Sequence, residues 1–183
     1  MTFTSMDKSC VEDWERINEK NLERRAHFPN RLRSMLENLD SYIGGFGVSQ
    51  LHHALHTATV AYRDGASDEM VVAALLHDVC KPINEPNHGP MAAELIRPYV
   101  SNITYNVIYT HELFVDRFQA EVVGGNTHLR EPYRSEPWFD AAVIFADQWD
   151  QAAFDPKFNV MQLEEFQPLL EGVFGRTPKC WWR

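Results

Sequence analysis

Two side chains able to bind a metal or move a proton follow directly on an apolar stretch. Residues 70–76 (MVVAALL) lead into His77 and Asp78. An imidazole or carboxylate buried without a partner costs several kcal/mol, so these groups must be paired, protonated or bound to a cation. Metal coordination would satisfy both groups at once. The simpler alternative is a helix-end histidine that forms a salt bridge with the aspartate.

Further histidines and an aspartate lie on other apolar segments. HHALH (residues 52–56) precedes the His-Asp pair, His88 and His111 follow it, and Asp150 lies in the last long apolar stretch. Four histidines and two aspartates form a nitrogen and oxygen donor set, which suits iron, manganese or zinc. The sequence therefore predicts a metal site without thiolate ligands.

The segments that carry these groups are all predicted to be helical. No stretch alternates apolar and polar residues between turn residues, as a half-buried strand would. Ser9 and Glu12 form a capping-box pattern that predicts the start of the first helix. Ser67 and Ser101 are candidate caps for two later helices. We expect helices over residues 10–25, 31–39, 50–62, 68–77, 90–96, 102–114, 138–154 and 163–174.

The stretch from Val115 to Pro137 lacks a helical pattern. It is too long for a simple connection, so we expect a large loop that could act as a lid, with Gly124 and Gly125 as its hinge. The alternative is a surface excursion without a role at the site.

Length and composition predict one domain. The chain has 183 residues, 44% of them hydrophobic, and a formal net charge of −9. We expect N-terminal helices in residues 1–40, a metal-binding core in 41–156, and a C-terminal helix and tail in 157–183. The net negative charge argues against nucleic acid as a partner. The longest apolar run is far shorter than the roughly 20 residues of a membrane helix, so we also expect no membrane partner.

Cysteine usage favours a reducing compartment. Cys10, Cys80 and Cys180 are odd in number and far apart in sequence, unlike the cysteines of a disulfide framework or a metal knuckle. We therefore expect a cytoplasmic protein. The sequence leaves the oligomeric state open, including the role of the terminal CWWR.

The segment QLHHALHTATVAYRDGASDEMVVAALLHDVCKP resembles the HD-domain superfamily. It is most similar to the mixed-valent di-iron oxygenases that cleave phosphonate C–P bonds, and more distantly to myo-inositol oxygenase. The resemblance extends from Ser41 to about Pro156. It implies an all-α fold, a single HD-domain helical bundle with a dinuclear metal site.

Matched residue by residue, the resemblance implies six metal ligands, with Asp78 as the bridge. They are His53, His77, Asp78, His88, His111 and Asp150. His53 is favoured over His52 and His56 because family members have Leu-x-His where this chain has Leu51-His52-His53. Asp147, one turn before Asp150, could replace it or orient a ligand.

The resemblance implies an oxidoreductase that uses O2. Two iron ions, as an Fe(II)/Fe(III) pair, would serve an oxygenase or dioxygenase that oxidises and cleaves a small polar or hydroxylated molecule. The alternative is a phosphohydrolase of the same superfamily, using Mn or Zn on a nucleotide or phosphomonoester. A third alternative is a metal-stabilised HD module without turnover.

Two residues near the expected ligands are candidate catalytic groups. Tyr42 matches a tyrosine that rests on one iron in the phosphonate-cleaving relatives until substrate displaces it. Lys81 matches a substrate-contacting lysine of myo-inositol oxygenase. A packing aromatic and a surface lysine at a helix end are the ordinary alternatives.

Two departures from the family's pattern bear on the substrate. Where phosphonate-binding relatives carry a lysine and an arginine, this chain has Val115 and Asp147. Loss of two cations disfavours a phosphonate dianion and favours a polyol, a zwitterion or a cationic amine. Arginines of the expected loop could still supply positive charge, namely Arg117, Arg130 and Arg134.

Overall fold

The computed structural model describes residues 3–179, and every regular element in that range is a helix. The predicted all-α fold is confirmed. The α-helices are α1 Val11–Ala26, α2 Phe28–Asn38, α3 Gln50–Arg63, α4 Asp68–Leu76, α5 His88–Ile96, α6 Asn102–Val123, α7 Phe139–Ile144 and α8 Gln167–Phe174. Short 3-10 turns lie at Met6–Lys8, Leu39–Ser41, Glu85–Asn87, Glu131–Tyr133 and Leu163–Phe166.

Helix α4 lies at the centre of the fold. All its residues from 70 to 76 are buried, because the helix is apolar on every side and α3, α6 and α8 pack around it. Asp68 and Glu69 lie in its first turn, where negative charge interacts favourably with the helix dipole. His77 and Asp78 therefore leave the helix end inside the protein rather than at its surface.

Helix α1 begins at Val11, one residue later than predicted, and its N-cap is Cys10 rather than Ser9. Cys10 is the N-cap residue, and its backbone N–H donates to Asp13 Oδ2 at 3.3 Å. Ser9 is unavailable as a cap because its hydroxyl donates to Met6 O and accepts a hydrogen bond from Trp14 Nε1. Asp13 is the one buried residue of α1, Ile17 and Asn21 are half-buried, and the other side chains of the helix are exposed, which agrees with the expected outer helix.

The predicted loop over residues 115–137 is wrong in its first part. Helix α6 continues to Val123 and ends at Gly124, whose φ of 85° is in the left-handed region that glycine tolerates. Phe114 and Ala120 are buried on one side of this extension, and Arg117 pairs with Glu121 at 3.3 Å on its surface. Packing and an i,i+4 ion pair thus support a helix where the local pattern is weak.

The predicted helix over residues 138–154 divides into two kinds of helix. Helix α7 ends at Ile144, and a π-helical segment, Phe145–Asp150, continues it. A π-helical turn rotates the following side chains relative to an α-helix, and such turns are frequent at functional sites. Asp150 is the last residue of this segment.

The hydrophobic core is one cluster built from α2 to α8. Within residues 3–179, Cys10 and Cys80 are free thiols, whereas Cys180 and the rest of CWWR lie outside the described residues. None of the helices in this range is long and apolar enough to cross a membrane.

Candidate metal centre

The six expected ligand side chains meet in one buried cluster. Each is at most 4% exposed, although they come from α3, the end of α4, the start of α5, the middle of α6 and the π-helical segment. The cluster consists of His53, His77, Asp78, His88, His111 and Asp150. Five elements of the fold therefore converge on one point.

One set of ligand atoms surrounds Oδ2 of Asp78. His53 Nε2 lies 3.1 Å from His77 Nε2 and 3.1 Å from Asp150 Oδ1. The two imidazole nitrogens lie 3.6 and 3.4 Å from Asp78 Oδ2. Two imidazoles and two carboxylate oxygens can thus surround a single cation.

A second set surrounds the other oxygen of Asp78. His88 Nε2 lies 2.9 Å from Asp78 Oδ1 and 3.1 Å from His111 Nε2. His111 Nε2 lies 3.5 Å from the same oxygen. The carboxylate of Asp78 therefore stands between the two sets, as a bridging ligand would.

Backbone carbonyls orient all four imidazoles. The Nδ1 atoms of His53, His77, His88 and His111 lie 2.6–3.1 Å from the carbonyl oxygens of Ala153, Ala74, Glu85 and Ile108, in that order. A carbonyl can only accept, so each Nδ1 carries a hydrogen and each ring turns its Nε2 to the centre, where that nitrogen can bind a cation. Metal-ligating histidines are usually fixed in this way.

The facing nitrogens fit cations better than they fit each other. When both rings are neutral, two Nε2 atoms 3.1 Å apart cannot share a hydrogen bond, so each facing pair must take up a proton or bind cations, and Asp78 Oδ1 is buried without a hydrogen-bond partner. Groups of donor atoms within 4.8 Å of one another include His53, His77 and Asp150, and also His77, Asp78 and His111. This nitrogen and oxygen donor set is compatible with iron, manganese or zinc.

The electrostatics of the cluster also favour bound positive charge. Burial alone would lower the pKa of His77, but Asp78 and Asp150 beside it raise that pKa to about 10. Burial raises the pKa values of both carboxyls, yet the neighbouring imidazoles hold them well below the usual range. The carboxylates thus stay ionised inside the protein, where only cations can balance them.

The alternative ligands considered from the sequence lie elsewhere. His52 Nε2 contacts the carbonyl of Asp155 at 3.0 Å. The ring of His56 stacks on Phe158, and burial lowers the pKa of His56 to about 4. Asp147 forms a bidentate pair with Arg130, at 2.8 and 3.2 Å. Of the three neighbouring histidines, only His53 enters the cluster.

The two candidate catalytic residues differ in their placement. Lys81 Nζ donates to Asp78 Oδ2 at 2.6 Å, and the side chain lines the cavity over the cluster. Tyr42 is half-buried and is not among the residues that line this cavity. Phe46, from the same loop, lines it instead and stacks on Phe154.

A cavity of about 400 Å³ opens above the cluster. His53, Asp78, His88, His111 and Asp150 form its floor. Its walls combine three phenylalanines, Phe46, Phe118 and Phe154, with Val115 and several polar side chains. The polar ones are Lys81, Glu85, Glu112, Asp116, Gln119 and Gln151, of which Glu85, Asp116 and Gln119 are exposed at the mouth. A small molecule could therefore reach the centre from one side.

The arginines expected to add positive charge do not line this cavity. Arg130 is buried against Asp147, Arg117 lies near Glu121 and Asp147, and Arg134 pairs with Glu131. They surround a different surface hollow beside α7. Their carboxylate partners hold them there, so none of the three arginines contributes positive charge to the cavity in this structure.

Sequence reasoning missed the residues that surround the ligands. Glu112 Oε1 lies 3.2 Å from His88 Nδ1, and it lines the cavity with Asp116, one turn further along α6. The i,i+4 spacing of these acids after His111 is a signal that could have placed them on one face. Gly89 was also missed, and a Cβ there would lie 3.0 Å from His111 Cε1.

No protein-family model matches the sequence, and no curated protein matches it.

Proposed function

We propose that the protein is a dinuclear metal enzyme of the HD-domain type, a di-iron oxygenase that uses O2 to oxidise and cleave a small polar or hydroxylated molecule. One observation carries the dinuclear part of the proposal. The two oxygens of Asp78 face two separate sets of imidazoles, at 3.4 Å from His77 Nε2 and 2.9 Å from His88 Nε2. The resemblance of residues 50–82 to HD-domain oxygenases supports the choice of reaction.

When bound, an iron pair would supply the one-electron chemistry that activates O2 for attack on a C–H bond. The chain would contribute the binding and the shielding. His53, His77 and Asp150 would hold one ion, and His88 and His111 the other, with Asp78 between them. Phe46 and Phe154 stack on each other in the wall of the cavity, so they would limit how freely water reaches the centre from its open side.

Lys81 would hold positive charge and a proton beside the bridge. Its Nζ lies 2.6 Å from Asp78 Oδ2, and the side chain is only 17% exposed. At this position the ammonium group could stabilise negative charge that develops on a substrate oxygen, or donate a proton to it. Tyr42 remains a predicted site residue that would have to move to reach the cavity.

The charge of the cavity favours an oxygenase over a phosphohydrolase. Among the lining residues within 3–179, Lys81 is the one lysine or arginine, and it is already paired with Asp78. Outside the metal cluster, three carboxylates line the same cavity, those of Glu85, Glu112 and Asp116. A phosphomonoester dianion is usually bound by arginine or lysine, so the cavity walls suit it poorly.

Metal analysis followed by spectroscopy tests this function. Protein produced with iron is analysed for metal content, partially reduced, and examined by low-temperature electron paramagnetic resonance. We expect about two irons per chain and the signal of a coupled Fe(II)/Fe(III) pair. Both should be lost in Asp78→Ala and retained in Asp140→Asn, which changes an exposed aspartate on α7.

The phosphohydrolase would be indicated by the opposite result. Zinc or manganese without a mixed-valent signal, together with hydrolysis of a generic phosphate ester that Asp78→Ala abolishes, would overturn the oxygenase proposal. Bound metal without either activity, across oxygen-dependent and hydrolytic screens, would favour the non-catalytic HD module.

A further inference from the structure

The two sets of ligand atoms in the cluster carry different amounts of negative charge. In the first set, Asp150 Oδ1 joins Asp78 Oδ2, so two imidazoles face two carboxylates. In the second set, the Nε2 atoms of His88 and His111 have one carboxylate oxygen of residues 3–179 within 4 Å, Asp78 Oδ1. A cation in the second set would therefore contact less negative charge than a cation in the first.

Glu112 lies behind the second set. Its Oε1 is 3.2 Å from His88 Nδ1, on the side of the ring that faces away from the centre. The N–H at this nitrogen donates to the carbonyl of Glu85 at 2.6 Å, so Glu112 acts on the ring through its charge, beside that hydrogen bond. In the other three ligand imidazoles of residues 3–179, the nearest carboxylate oxygens lie closest to Nε2.

No cation of the described chain neutralises Glu112. Among residues 3–179, its carboxylate has no lysine or arginine nitrogen within 4 Å. Lys81 lines the same cavity but pairs with Asp78, and Arg117, further along α6, pairs with Glu121. The charge of Glu112 therefore acts on the His88 ring, although water screens part of it because the side chain is 41% exposed.

Helix packing fixes the position of this carboxylate. Glu112 directly follows His111 on α6, whereas His88 is the first residue of α5. The two helices approach closely, since a Cβ at Gly89 would lie 3.0 Å from His111 Cε1. The packing that brings the two imidazoles of the second set together thus also places a carboxylate behind one of them.

A carboxylate in this position has a known physical effect on a metal-ligating imidazole. It orients the ring and makes the nitrogen on the opposite side a stronger donor, and removing such a partner typically costs 10–100-fold in metal affinity. We expect a value near the lower end here, about tenfold, because the carbonyl of Glu85 accepts the N–H and water screens the carboxylate.

We propose that Glu112 is a positioning residue for the second metal position, which orients His88 and supplies from outside the negative charge that Asp150 supplies directly to the first position. The inference rests on the proposed function, since it requires two bound ions. It assigns a role to a residue that is not itself a ligand, and it predicts that the affinities of the two positions can be changed separately.

Titration with Mn²⁺, followed by electron paramagnetic resonance, measures the affinity of both positions. Glu112→Gln keeps the size of the side chain and removes its charge, so we expect about tenfold weaker binding at one position and unchanged binding at the other. Asp116→Asn is the matched control, because it removes a charge from the same cavity one turn further along α6. Its carboxylate has no described imidazole nitrogen within 4 Å, so both affinities should change by less than about twofold.

Salt separates an effect of charge from an effect of shape. The affinity ratio between the unaltered protein and Glu112→Gln should shrink between about 10 mM and 1 M salt, where the Debye length falls from about 30 to about 3 Å. A purely structural role of the side chain would leave that ratio constant. Unfolding in the presence of chelator should show equal melting temperatures for the two proteins, since the altered side chain is partly exposed.

The outcomes distinguish failure of this proposal from failure of the proposed function. Two Mn²⁺ ions bound as tightly by Glu112→Gln as by the unaltered protein, equal effects of Glu112→Gln and Asp116→Asn, or a ratio that salt does not change would overturn the role of Glu112 and leave the dinuclear centre standing. Unaltered protein that binds fewer than two Mn²⁺ ions would contradict the dinuclear centre, and with it the second position on which Glu112 would act.

Discussion

At the scale of single residues, Asp78 has the largest predicted effect. Its two oxygens face different imidazole sets, so removing the charge should weaken both metal positions together. We expect Asp78→Asn to bind less than about one ion per chain, where the unaltered protein binds about two. Metal content after dialysis, by plasma mass spectrometry, checks this. If the variant retained both ions, Asp78 could not be the bridge.

His53 tests which histidine of α3 binds a metal ion, because His52 and His56 lie close to it on the same helix. His53→Ala should lower affinity for one ion by more than about 100-fold and leave the other ion bound. His52→Ala should retain both ions, since His52 Nε2 contacts the carbonyl of Asp155. Titration with Mn²⁺ followed by electron paramagnetic resonance counts the bound ions. Equal losses in the two variants would contradict the assignment of His53.

The side chains that meet in the candidate metal cluster were more predictable than the residues around them. An apolar helix that runs into a His-Asp pair requires partners for those groups, so His77 and Asp78 could be singled out from the sequence. Choosing His53 over His56 needed the family resemblance, since both are buried. The contact between Glu112 and His88 joins two helices, and spacing along the chain does not reveal it.

At the scale of elements, close packing of α5 against α6 positions His111. A methyl group at Gly89 would lie 3.0 Å from His111 Cε1 and 3.4 Å from the carbonyl of Ile108. Gly89→Ala should therefore displace the imidazole by a few tenths of an ångström and lower affinity for one ion by about tenfold. Competition with a fluorescent chelator measures the affinity.

Gly172→Ala, on α8, is the matched control for that change. No atom lies within 4 Å of a Cβ placed at Gly172, so metal affinity should stay unchanged. If Gly89→Ala bound both ions as tightly as the control does, the close approach would not constrain the centre.

Helices α4 and α6 are joined by a carboxylate away from the centre. Glu69 accepts hydrogen bonds from Thr104 Oγ1 at 2.7 Å and from the backbone N–H of Ser101 at 3.2 Å. Burial raises the pKa of Glu69, but these hydrogen bonds lower it below its ordinary 4.5. Its stabilising contribution is therefore complete above about pH 4.5 and is lost as pH falls through the lower folded-state pKa.

Glu69→Gln tests that link. At pH 7 it should reduce the free energy of unfolding by about 1–2 kcal/mol, and the difference from the unaltered protein should shrink in acid. Urea unfolding at a series of pH values measures both. Glu171→Gln, on α8, serves as the control. A difference that grew as the pH fell would have the wrong sign for this mechanism.

The elements show where local pattern was insufficient. Residues 115–123 have mixed polarity, but Phe114 and Ala120 pack inward and the segment is helical. The π-helical segment Phe145–Asp150 was read as ordinary helix, because both kinds place apolar residues at similar spacing. Whether Asp147 or Asp150 reaches the centre depends on that turn. Tertiary contacts decide the structure of both segments, and these contacts cannot be deduced from the local sequence pattern.

At the scale of the whole molecule, the all-α architecture was predictable because the sequence lacks a strand pattern. The sequence has no alternating strand pattern, and helical spacing together with the candidate caps Ser67 and Ser101, which are the N-cap residues of α4 and α6, predicts helices throughout. The acidic cavity mouth was not predictable from the net charge of −9. Folding turns Arg117 and Arg130 towards Asp147 and leaves Glu85 and Asp116 at the cavity.

The proposed metal centre should also determine the stability of the entire fold. Its ligands come from α3, α4, α5, α6 and the π-helical segment, so unfolding any of these elements releases a bound ion. An ion present at 100 times its dissociation constant stabilises the folded state by about 2.7 kcal/mol, and two ions by about twice that. For a chain of this size we expect the melting temperature to rise by about 10 °C or more.

Calorimetry with and without added Mn²⁺ measures this shift. Chelator should reverse it, and Asp78→Asn should show almost none because its ions bind weakly. Asp140→Asn, which lies outside the cluster, should respond as the unaltered protein does. Without metal, the bare imidazole nitrogens and two buried carboxylates must take up protons or remain unbalanced, which destabilises the folded state. If added Mn²⁺ and chelator left the melting temperature of the unaltered protein unchanged, protonated imidazoles rather than metal ions would balance the buried carboxylates of the cluster.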